Sequence, residues 1–205
     1  MTASDAGKAK LLRALKRERL HVEQGALEAS PPEVRRHFDH AWAPADLLLG
    51  RLAPWPAGLL SFWLQVPAGH VVFCHDRSAY LPQGIPWRGD HLRAAARLRL
   101  ADLLGDGRPG LEVVARLIDH LLGSGGAADG PWLSDGAGAT PRLQEVSRRL
   151  QSLFGLGYGP AEPHGYFASA FATYWLDRRS LSVSDPHAER LLRATVCSEG
   201  FWQQV

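Results

Sequence analysis

Near the start of the chain apolar residues recur at helical spacing. Leu11, Leu12, Leu15, Val22 and Leu27 fall on one side of a helix, with lysines and arginines on the others. The pattern predicts an amphipathic helix over 5–29. Ser30 and the two prolines after it open a second, short helix, since serine caps and proline suits the first helical positions. Between 50 and 87 the pattern changes. "LLSFWLQV" (59–66) and "HVVFC" (70–74) are aromatic and β-branched runs separated by "PAG", which predicts a hairpin. "YLPQGIPW" (80–87) is extended, because its prolines restrict the residues before them. "RGDHLRAAARLRLADLLG" (88–105) predicts a helix ending at Gly105, and "LEVVARLIDHLLG" (111–123) another ending at Gly123. A Gly/Ala-rich, nearly uncharged stretch at 124–141 predicts a mobile loop. Helices follow near 141–154, 164–178 and 185–196, opened by Pro141, Pro163 and Pro186. The expectation is an α+β fold, mostly helical with a small sheet. Residues 1–49 form an N-terminal basic helical segment and 50–205 the main domain.

Composition narrows the class. With 205 residues, 45% of them hydrophobic and seven tryptophans, the chain has the apolar surface to build a core and is not a disordered polyion. The formal net charge is only +2, so any basic surface must be local. No apolar signal core and no membrane-length apolar run is present, which gives the expectation of a soluble cytoplasmic protein. Cys74 and Cys197 lie far apart without metal-ligand spacing and read as two buried thiols, one disulfide being the alternative.

Few residues announce chemistry. His37 and His40 flank Asp39 at a spacing found in metal sites, but without a third partner they read as a solvated helix end. The glycine-rich 123–130 lacks the Lys-Ser/Thr ending of a phosphate loop. Tyr166, Phe167, Phe171, Tyr174 and Trp175 read as core. The first helix concentrates cations: Lys8, Lys10, Arg13, Lys16, Arg17 and Arg19, opposed there only by Glu18. Such a helix is a candidate phosphate-binding surface for nucleic acid, extended by Arg35, Arg36, Arg88, Arg93, Arg97 and Arg99, or else the solvated outer face of a docked helix.

Two segments, "LEVVARLIDHLLG" and "YGPAEPHGYFASAFATYWLDRR", resemble the two active-site helices of the lethal-factor-type zinc metallopeptidases, a zincin branch. In that family an HExxH helix supplies two zinc-binding histidines and the glutamate that activates water. The second helix supplies a glutamate ligand and is preceded by an oxyanion-binding tyrosine. Carried over, Glu112 and Arg116 stand at the histidine positions and Val113 at the general base. Gly165 replaces the glutamate ligand, Ser169 replaces the second glutamate of the motif, and Tyr158 matches the tyrosine. Framework residues Asp119, Gly123, Tyr166, Phe167, Ala168, Ala170 and Phe171 are kept.

The resemblance therefore implies a zincin-like fold without its zinc motif. Zinc is expected to be absent, and no cofactor is expected. A Glu112–Arg116 salt bridge is expected in the place of the metal. The implied function is that of a pseudoenzyme holding a peptide or protein partner in the former substrate cleft, with 124–140 as a lid and Tyr158, His120, His164 and Glu162 as candidate contacts. Two alternatives stay open: a nucleic-acid-associated protein using the basic helix, and an enzyme with a site relocated around Tyr158, His120 and His164.

Overall fold

A computed structural model of the chain describes residues 3–154 and 162–203. Helix α1 (Ala3–Arg19) stops ten residues before the sequence pattern suggests, because Leu20–Val22 is strand β1. Arg19 fixes the changeover. Its guanidinium donates to the carbonyls of Leu64 and Val66 at 2.8 and 2.7 Å, placing the next three residues alongside Val71–Phe73.

After α2 (Pro32–Arg35) and α3 (Ala43–Leu52), residues 59–66 form no strand but most of helix α4 (Ala57–Gln65). A short apolar run does not distinguish the two by pattern alone. Here Pro56 precedes the helix, Leu59, Leu60 and Trp63 are buried on one side, and the Trp63 indole donates to the Gly69 carbonyl.

Strands β2 (His70–Cys74), β3 (Ala79–Leu81) and β6 (Ala95–Arg99) complete a sheet of order β1-β2-β6-β3. The first three run parallel, and β3 at the edge is antiparallel to β6. Strands β4 (Ile85–Trp87) and β5 (Asp90–Leu92) pair with each other as a hairpin. The helix expected over 88–105 is thus replaced by β5, β6 and a 3-10 turn at 100–103. Alanine, arginine and leucine favour helix by only a fraction of a kcal/mol each. Pairing on both edges of β6 and complete burial of Ala95, Ala96 and Leu98 outweigh that preference.

One sheet face carries Leu20, Val71, Phe73, Ala96 and Leu98 into the core. On the other, His21 Nε2 lies 3.0 Å from His70 Nδ1, and Trp87 of the hairpin packs on His21.

Helices α5 (Arg108–Ser124), α6 (Pro141–Phe154), α7 (Pro163–Leu176), α8 (Arg178–Ser184), α9 (Pro186–Ala194) and α10 (Glu199–Trp202) build the rest. Asp185 caps α9 by accepting the Ala188 amide, and α8, which the sequence pattern did not announce, is capped by Asp177 accepting the Ser180 amide. Helix α5 packs on α7 and beneath β3 and β6. Trp55 stacks on Trp175 and meets Phe171 edge-on at the centre of the helical layer.

Residues 1–49 are not an appendage. Leu15, Leu20, Val34, Phe38, Ala45 and Leu48 belong to the same core as the rest, and β1 is part of the main sheet. The fold is α+β and mostly helical. Among the described residues, no helix is long and apolar enough to cross a membrane.

Candidate functional site

A buried polar cluster lies where the end of α5 meets the start of α7. Helix α5 runs on past Gly123 to Ser124 and is ended by Gly125, whose φ of +67° is left-handed. Gly123 serves close approach instead. A Cβ there would stand 2.4–2.5 Å from backbone atoms of Pro131, Trp132 and Leu133, so the 131–133 stretch of chain crosses directly over the helix.

That crossing brings Ser134 onto Asp119, which is 0% exposed. The carboxylate accepts from the Ser134 amide at 2.9 Å and from its hydroxyl at 2.6 Å. Ser134 Oγ in turn lies 2.9 Å from His164 Nδ1 on α7. His164 Nε2 faces Asp135 at 3.5 Å.

The charges follow from this geometry. The Asp119 carboxylate, 3.6 Å from Nδ1, raises the His164 pKa, against partial burial and with help from Asp135. Burial pushes Asp119 itself up, opposed by His164 and Ser134. The result is a buried carboxyl group linked to an imidazole through one shared hydroxyl.

Serine, histidine and aspartate together suggest a nucleophilic triad, but the orientation excludes it. The Ser134 hydroxyl donates to Asp119 rather than to the imidazole, and the residue is 1% exposed. The trio ties α5, the 133–135 turn and α7 together.

His120 is also fully buried. Burial lowers its pKa and raises that of Tyr80, and the two share a hydrogen bond between the phenol oxygen and His120 Nδ1 at 2.5 Å. The other ring nitrogen has no hydrogen-bond partner. His120 and His164 do not meet directly. Trp132 is the ring both touch, with centroids 5.1 and 4.0 Å away.

Of the residues singled out by sequence, Arg116, His120, Glu162 and His164 converge on this end of the α5–α7 pair. The Glu112–Arg116 bridge is not formed. Arg116 reaches across to Glu162 at 3.5 Å, because the start of α7 offers a carboxylate on that side, and Glu112 has no ion pair among the described residues. Val113 packs against the core, Gly165 is buried, and the Ser169 carbonyl accepts from Thr173. Tyr158 lies outside the described residues.

The lid expectation for 124–140 does not fit 132–139. Leu133 and Ser134 are buried, Ser147 and Gln144 donate to the Leu133 and Gly136 carbonyls, and the Ala139 amide reaches Leu122. Sequence reasoning missed Ser134, Trp132 and Tyr80. Only Asp119 left a signal, a carboxylate inside the apolar run "LIDHLL".

A second polar group lies just past the carboxyl ends of β1 and β2. Ligand atoms of Glu23, Cys74 and Asp76 fall within 4.8 Å of one another, the one such set among the described residues. Arg97 occupies its centre, 2.8 Å from Glu23 and 3.0 Å from Asp76. Burial pushes the Cys74 thiol up to about 12, which keeps it protonated at neutral pH. The thiol donates to the Arg77 carbonyl at 3.4 Å, and its proximity, with the Arg77 amide and Arg97, holds Asp76 down to about 2. Both cysteines are buried free thiols.

The basic helix is less free than its sequence suggests. Lys8 pairs with Glu199, Lys16 with Asp46 and Arg17 with Glu18, while Arg19 is turned inward. Lys10 and Arg13 have no ion pair among the described residues. The arginine extension also breaks up, since Arg93 donates to the Pro67 carbonyl and Arg99 pairs with Asp102.

No protein family, no curated protein and no solved structure matches the chain.

Proposed function

We propose that the protein is a zincin-like pseudoenzyme that holds an extended peptide or protein segment along β3 and the adjoining α5–α7 face without cutting it. The observation that carries this reading is the placement of β3. It is an antiparallel edge strand lying against α5, and no other strand pairs with its outer side among the described residues. An edge of this kind offers backbone hydrogen bonds to a partner strand. Half-buried Trp132 and His164, with the Arg116–Glu162 pair, supply side-chain contacts beside it.

The side chains favour binding over reaction. A guanidinium at Arg116 repels a metal ion, Val113 cannot take a proton, and His120 is buried with its Nδ1 engaged by Tyr80. The two segments that carry the family resemblance pack on each other as α5 and α7, which supports the relationship.

The test is selection from a random peptide display library on the immobilised full chain, followed by amide hydrogen exchange with a selected peptide. Binding should slow exchange at residues 78–82 and weaken on Trp132→Ala or Glu162→Lys. Selected peptides that leave 78–82 unprotected would move the site elsewhere. Stoichiometric zinc with chelator-sensitive peptide cleavage would replace the reading by that of a working peptidase.

A further inference from the structure

The ion pair between Lys16 and Asp46 fastens α1 to α3, and a shallow concavity of about 700 Å³ opens beside it. Arg13, Lys16, Arg17, His40 and Trp42 line it. Trp42 stands at the head of α3, where its carbonyl accepts the Ala45 and Asp46 amides, so its backbone is fixed. Its side chain nevertheless stays 43% exposed, and it is the one exposed aromatic residue among the large hydrophobics of the described chain. The indole N–H makes no hydrogen bond among the described residues.

Arg13 and Arg17 are four residues apart, hence on the same side of α1 and separated by about 6 Å along its axis. Asp46 is engaged by Lys16, while the Arg17–Glu18 pair lies at the surface, where an exposed ion pair is worth at most about 1 kcal/mol and a phosphate can displace the carboxylate. Arg13 has no ion pair among the described residues, and His40 is exposed beside the ring. A rigid flat ring rimmed by guanidinium groups matches a ligand with a flat base on an anionic backbone.

We propose that this concavity binds single-stranded nucleic acid, with a base stacked on Trp42 and phosphates held by Arg13 and Arg17. The ring supplies sequence-tolerant stacking, and the arginines supply the salt-dependent attraction. This site is separate from the peptide cleft and does not rest on that reading. An acidic peptide would use the cations but leave the ring without a stacking partner. A membrane surface would need a wider apolar face than Trp42 and Leu47 provide.

The experiment is fluorescence anisotropy of a labelled single-stranded oligonucleotide of about 12 nucleotides, within the span of known single-strand sites. It uses the full chain at several salt concentrations between about 50 and 200 mM. The intact protein should bind with a dissociation constant of about 1–100 μM at the lower salt. Trp42→Ala should weaken binding about 5- to 150-fold and leave the salt slope unchanged, while Trp42→Phe retains most of the affinity. Arg13→Glu with Arg17→Glu should abolish it, and Arg17→Ala should flatten the log–log salt slope by about 0.7. Arg148→Glu, the same charge reversal on an exposed part of α6, should change nothing.

Absence of binding at the lower salt would overturn the proposal. So would a loss in Arg148→Glu equal to that in the double variant, or an unaffected Trp42→Ala. Binding of phosphatidylglycerol vesicles or of a polyglutamate peptide, without binding of the oligonucleotide, would assign the surface to those partners instead.

Discussion

At the scale of single residues, the buried Asp119 explains why an otherwise apolar stretch of α5 tolerates a carboxylate. Ser134 supplies two donors, and its hydroxyl links the carboxyl group to the His164 ring. Ser134→Ala removes the hydroxyl that both groups share, leaving Asp119 Oδ2 without that donor. Unfolding in urea should then require about 1–3 kcal/mol less than in the intact chain. An unchanged midpoint would mean that the hydroxyl is not part of a linked network. The pair also sets a pH trend. His164 gains its proton more tightly when folded, so its contribution is fully present below about pH 6.5, the ordinary histidine value, and is lost as pH rises through the raised folded value. In Asp119→Asn the His164 titration, followed by NMR, should fall back towards that ordinary value.

At the scale of elements, glycines inside two helices divide cleanly. Gly50 in α3 faces open space, and a Cβ added there would meet nothing within 4 Å. Gly50→Ala should therefore raise stability by about 0.5–1 kcal/mol through the unfolded chain's lost freedom. Gly123→Ala drives a methyl into the crossing backbone of 131–133, and should cost about 1–3 kcal/mol or displace that segment. Thermal melts of the two variants should shift in opposite directions.

The same contrast shows what the sequence could reveal. Helices announced by proline or aspartate starts, such as α7 and α9, lie within about two residues of their expected bounds, because capping is local chemistry. The 59–66 and 88–105 stretches went the other way, because their conformation is decided by which strands lie beside β6 and which cavity receives Trp63. Of the site, Arg116, His120 and His164 were singled out through the family resemblance rather than through a local pattern. Ser134 and Tyr80 were not, since each joins through a tertiary crossing that no local pattern records.

The His21–His70 pair gives the sheet a trend opposite to that of His164. Burial first, then His21, Arg19 and Arg93, depress His70 to about 4; burial, Arg88 and Arg19 depress His21. The unfolded chain therefore takes up protons below about pH 6.5 that the folded chain refuses until His70 titrates near 4. Stability should fall as pH drops through that window. His70→Gln should flatten the decline in urea midpoints measured across it, while a slope identical to that of the intact chain would place the acid sensitivity elsewhere.

At the scale of the whole molecule, both ends of the described chain are structural. Trp202 of α10 covers Gly58, the Glu199 carboxylate accepts the Ala57 amide, and Lys8 reaches back to Glu199. The first helix therefore meets the last across α4. Removing residues 1–22 would delete β1 and with it Leu15 and Leu20, each buried to 1% exposure or less. Two fully buried leucines are worth about 1.5–3 kcal/mol each. Loss of Arg19 also frees the Leu64 and Val66 carbonyls, and the edge of β2 is uncovered. Against a total stability of about 5–15 kcal/mol, the sum is enough to prevent a cooperative fold. The truncated chain should lose its near-ultraviolet circular dichroism and its sharp urea transition, whereas the intact chain should show both. A truncated chain that keeps both would show that the N-terminal segment is dispensable to the core. The consequence for function is direct: a deletion of the basic helix measures folding before it measures binding, so only surface substitutions such as Trp42→Ala and Arg17→Ala separate the two.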